Sequence, residues 1–112
     1  MDHLSAIIAT FNDLFADTDF SDADRVARHA TVTILDELLA NEDLQSAHRH
    51  SDEQNRRIEF NQRLFNALLE HLQDETELYQ KFQTDKQFQS QFGSQMYELW
   101  RTRMTQGDVG NS

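Results

Sequence analysis

Residues 51–72 read Ser51-Asp-Glu-Gln-Asn-Arg-Arg-Ile-Glu-Phe-Asn-Gln-Arg-Leu-Phe-Asn-Ala-Leu-Leu-Glu-His-Leu72. Within this stretch Ile58, Phe60, Leu64, Phe65, Leu68, Leu69 and Leu72 follow the three- and four-residue spacing of an α-helix. They span about half of the helical circumference, more than one buried face requires, so the spacing predicts a central helix with neighbours on two sides. Ser51 followed by Gln54 reads as the capping box that opens it.

Toward the C-terminus, Glu75 to Gln83 carries Leu78, Tyr79 and Phe82, and either continues this helix or forms a short one of its own. Thr84 with Gln87 is a further capping box, opening a last helix that runs through Met104. The polar tail 105–112 holds Gly107 and Gly110 and is expected to be disordered. Toward the N-terminus, Glu42 to His50 has only Leu44 and Ala47 as apolar residues, and a short helix and a loop both fit it. Ser21 with Asp24 opens an earlier helix with the face Val26, Ala30, Ile34 and Leu38, ending near Asn41. Leu4, Ile7, Ile8, Phe11, Leu14 and Phe15 form the stripe of a first helix that ends near Ala16. The chain has no proline and three glycines, so it lacks the turn residues that hairpins and sandwiches need. The expectation is all-α: one compact bundle of four to five helices over residues 1–104, followed by the tail.

Composition narrows the function. A chain of 112 residues has room for one core. Without cysteine it forms no disulfide and no thiolate metal site. Ten basic residues against twenty acidic ones give a formal charge of −10, a field that repels phosphate backbones and anionic lipid. Neither direct nucleic-acid binding nor membrane association is expected. The acidity is concentrated in residues 1–56, with twelve acids and four bases. No apolar run is long enough to span a bilayer and the first residues do not resemble a signal peptide, so a cytoplasmic location is expected.

Motifs for chemistry are sparse. Asp17, Asp19 and Ser21 occupy the first, third and fifth positions of a calcium-loop pattern, but Asp22 stands where the turn needs glycine and Arg28 where a bidentate glutamate belongs. The run reads instead as the acidic start of a helix. His48 and His50 are two apart and do not share a helix face, and His29 and His71 read as ordinary helical histidines. There is no G-x-S-x-G elbow, phosphate-binding loop or G-x-G-x-x-G. No catalytic residue, cofactor or metal is expected.

The last helix carries two stripes. Phe88, Phe92, Met96 and Leu99 form a core stripe, while Gly93, Tyr97, Trp100 and Met104, flanked by Arg101, form a second one turned roughly 90° or more away. Trp, Tyr, Met and Arg are enriched at protein interfaces, and a glycine among them lets another backbone approach. Gly93, Tyr97, Trp100, Arg101 and Met104 are therefore the candidate partner-binding residues. Burial of this helix on both sides within its own bundle explains the same pattern.

The blocks Phe11-Asn-Asp-Leu-Phe15, Ser21-Asp-Ala-Asp-Arg25, Leu38-Leu-Ala-Asn-Glu-Asp-Leu-Gln45, Asp52-Glu-Gln-Asn-Arg-Arg-Ile58 and Glu77-Leu-Tyr-Gln-Lys-Phe82 occur in this order. Together they resemble the C-terminal helical region of type I restriction endonuclease R subunits, the HsdR family, over about residues 4 to 104. In that family a nuclease domain and two motor domains precede the helical region. None of their motifs occurs in this chain, so the resemblance carries over no catalytic residue. It implies a non-catalytic assembly domain that holds the R subunit to the methyltransferase core of M and S subunits and packs against its own motor domains. The alternatives are a free-standing helical adaptor or homodimer, and a small-molecule or metal binder with a pocket between helices near His29, His71 or the acidic turn.

Overall fold

The computed structural model describes residues 3–16, 23–74 and 76–110. Over them the apolar spacing is realised as α1 (His3–Phe15), α2 (Ala23–Ala40), α3 (Glu42–His50), α4 (Glu53–Leu72), α5 (Thr76–Thr84) and α6 (Lys86–Gly110), with no strand among the described residues. The fold is an all-α bundle. Both segments that the sequence left open are helices of their own, which brings the number to six where four or five were expected.

Helix α3 forms with two buried apolar residues, Leu44 and Ala47, because its ends are well supplied. The Asn41 side chain accepts the Leu44 N–H at 3.0 Å, acids fill the first turn, and His48, Arg49 and His50 fill the last. Helix α4 is capped one residue later than expected. Asp52 accepts the Asn55 N–H at 2.8 Å, while the Ser51 N–H donates to the Ala47 carbonyl and so closes α3. The same shift occurs before α6: Asp85 accepts the Phe88 N–H at 2.8 Å, and the Thr84 hydroxyl donates back to the Gln80 carbonyl. In both places the connection is so short that the hydroxyl residue is still engaged by the preceding helix. Ser21, the expected cap of α2, lies outside the described residues.

Helix α4 packs on α2, α3, α5 and α6, the central position its wide apolar face predicts. Phe60, Leu64, Ala67, Leu68 and Leu72 are buried, with Phe65 and Leu69 packed at the edge of the core. Ile58 is the exception at 49% exposed, because two residues before Phe60 is roughly the opposite side of the helix. Helix α1 packs on α2 and α6 through Ile7, Ile8, Phe11, Leu14 and Phe15. Helix α6 does not end at Met104. It continues to Gly110, with the Thr105 hydroxyl donating to the Arg101 carbonyl at 2.9 Å. No proline interrupts its hydrogen bonding, so the expected tail from residue 105 is helical up to Gly110, and residues 111–112 lie outside the described residues. Its 25 residues make about 37 Å of helix, in a molecule 47 Å by 25 Å by 22 Å.

Candidate functional site

Both stripes of α6 face the interior. Tyr97 is 1% exposed and Trp100 is fully buried. They are therefore core residues, which corrects their expected role as partner contacts. The stripes serve two different aromatic clusters along the helix. In the first, Phe88 stacks on Phe92 with centroids 5.2 Å apart, Phe11 and Phe82 pack edge-on against this pair, and Phe15 stands edge-on to Phe82 behind them. In the second, Phe60 meets Tyr97 at 5.5 Å and Trp100 at 5.1 Å, and the His48 ring stands edge-on to Trp100 at 5.6 Å. Phe65 of α4 adds to the first cluster through Phe92 at 6.5 Å. Side-chain chemistry at an interface and in a two-sided core is the same, so the sequence pattern alone did not separate them.

The remaining candidates divide. Met104 is half-buried against the core. Arg101 is exposed and bonded to Glu98 at 2.8 Å, and this carboxylate raises the guanidinium pKa further above its ordinary value. Gly93 is buried where α4 and α6 approach: a Cβ there would stand 3.2 Å from the Asn61 Oδ1.

Around that glycine the two helices leave a groove of about 410 Å³, within the size range of small-ligand sites. Arg57, Asn61 and Phe65 line it from α4, and Lys86, Gln89, Ser90, Gly93, Ser94 and Tyr97 from α6. In a chain with twenty acids, this lining contains two cations and no carboxylate. The Arg57 guanidinium lies 4.4 Å over the Tyr97 ring, a cation–π contact, and reaches Glu53 at 3.5 Å and Glu98 at 3.8 Å. Gln89 spends its amide N–H groups on the carbonyls of Phe82 and Gln83. The Tyr97 hydroxyl is buried without a hydrogen-bond partner among the described residues. The sequence singled out Gly93 and Tyr97 but not the groove, because the α4 residues that complete it, Arg57, Asn61 and Phe65, are distant in the chain. The glycine in a helix interior was the available signal.

A second cavity, of about 440 Å³, is lined by Arg25, Val26, His29, Ala30, His71 and Leu72. The two histidines that the small-molecule alternative named are thus brought to one place, with His71 Nε2 at 3.2 Å from Glu37 Oε1. No group of three or more potential metal ligands gathers among the described residues. The calcium-like run lies outside them except for its last positions. Arg57, Arg63 and Arg101 each stand within ion-pair distance of a carboxylate, and Arg56 donates to the Ser51 carbonyl. No described helix is long and apolar enough to cross a membrane.

Comparison of the chain with protein-family models, with curated proteins and with solved structures finds no match.

Proposed function

We propose that this chain is a non-catalytic assembly domain, the C-terminal helical region of a type I restriction R subunit. In this reading it works in the cytoplasm, holding the R subunit to the M and S methyltransferase core and packing on its own motor domains. What supports the reading is the ordered set of five blocks that resemble that family. Several of their residues do structural work in the bundle. Asn41 and Asp52 cap helices, and Phe11 and Phe15 meet Phe82 at 5.5 Å and 6.1 Å, so the first and last blocks pack on one another. With Tyr97 and Trp100 in the core, the contact to partners falls to the charged outer surface. An acidic domain beside positively charged DNA-binding subunits would be steered by complementary fields.

Sizing chromatography tests this. The chain is run alone, with the cognate M and S subunits, and with the motor domains of the cognate R subunit. Co-migration with either partner is expected, and separate elution from both overturns the reading.

A further inference from the structure

The polar groove between α4 and α6 has two cations and no carboxylate in its lining, in a chain with a net charge of −10. The close pairs Arg57 with Tyr97, Asn61 with Gly93, and Phe65 with Phe92 show that the helices run antiparallel, so the groove has an Arg57 end and a Lys86 end. Tyr97 and Lys86 stand eleven positions apart on α6, about 16 Å along the axis. Between them lie Asn61, Ser90 and Ser94, whose side chains form no hydrogen bond among the described residues, and Lys86 makes no ion pair there. The pairs that hold Arg57, at 3.5 Å and 3.8 Å, are looser than the 2.8 Å bond between Arg101 and the same Glu98, which leaves guanidinium N–H groups to offer. Gly93 keeps the floor open and the unsatisfied Tyr97 hydroxyl lies beneath the same lining.

We propose that this groove binds a short acidic polypeptide segment in extended form, with one carboxylate at the Arg57 end and another at the Lys86 end. Two cations with neutral donors between them match two carboxylates joined by a polar backbone. An extended chain advances about 3.3 Å per residue, so acidic residues four to five positions apart fit the separation once side-chain reach is included. A small inorganic anion would engage only one end. A nucleic-acid strand would meet the surrounding field of a chain with a net charge of −10. The inference names a surface that the assembly reading lacks, yet it stands on the groove alone, so its test does not use the M and S subunits.

The test is a titration of the full ¹⁵N-labelled chain with the peptide acetyl-Glu-Ser-Gly-Ser-Glu-amide, followed through backbone amide resonances. Saturable movement centred on Asn61, Ser90 and Ser94 is expected, and it should vanish for the peptide with Gln in place of both Glu residues. Lys86→Glu and Ser94→Glu, both at exposed positions that leave the core untouched, should each weaken binding by about tenfold or more. Three results overturn the proposal: no movement of these amides, equal binding of the Gln peptide, or the same amides moving at the same midpoint with inorganic phosphate or an eight-nucleotide DNA strand.

Discussion

Trp100 lies against Phe60 and Tyr97, with the His48 ring perpendicular to it, and none of its surface reaches solvent. Trp100→Ala is therefore expected to cost about 3–5 kcal/mol of folding stability, read from urea unfolding, whatever it does to binding. Tyr97→Phe should behave in the opposite way. Its hydroxyl has no partner among the described residues, so the variant is expected to unfold at the same or a higher urea midpoint. Gly93→Ala places a methyl group 3.2 Å from the end of the exposed Asn61 side chain, which can swing aside, and it replaces a residue poorly suited to a helix interior. A gain of up to about 1 kcal/mol is expected, measured as a rise in Tm. A loss instead would mean that the α4–α6 approach tolerates no side chain. At this scale the candidate site was legible only in part. Gly93 and the aromatics were recognisable as special, but whether an aromatic stripe faces a partner or a second half of its own core depends on what another helix brings to it.

Between α3 and α4 the connection is two residues long and between α5 and α6 it is one, and this explains why two caps moved by one position. Asp52→Ala and Asp85→Ala are expected to cost about 1 kcal/mol each, while Ser51→Ala and Thr84→Ala cost less, with thermal unfolding of the four variants as the check. The sequence contained both aspartates. A capping-box pattern cannot weigh them against the adjacent hydroxyl residues without the end of the preceding helix. Helix α3 shows the same limit, since its periodicity is weak and its stability comes from Asn41 and from docking Leu44 against the bundle. The long, strongly periodic helices α1, α2, α4 and α6 were legible, as was the central place of α4. On α2, Asp24 accepts a 2.9 Å bond from Arg28, and that bond, helped by the Asn12 side chain, holds its carboxyl below the ordinary carboxylate range. A pKa lowered in the folded state gives stability that is complete above the unfolded value and is lost as pH falls through the folded one. Asp24→Asn should therefore narrow the stability gap from the parent chain as the solution is acidified. Both atoms are exposed, so the effect is small and best followed by titrating the side-chain resonance of Asp24.

For the whole molecule, charge is the dominant unbalanced term. Twenty acids on a domain of this size repel one another, and raising ionic strength is expected to raise Tm by screening them. A fall in Tm with added salt would instead make the surface ion pairs, such as Arg63 with Asp43, the larger effect. The two aromatic clusters have a further consequence for how this protein can be observed. Its single tryptophan belongs to the cluster of α3, α4 and α6, more than two helical turns along α6 from Phe92, and the cluster of α1 and α5 is built of phenylalanine alone. Indole emission excited at long wavelength therefore carries no signal from the α1 and α5 end. If that end loosens first, far-ultraviolet dichroism falls while emission stays constant, and the chain looks intact to the optical probe most often used to declare a protein folded.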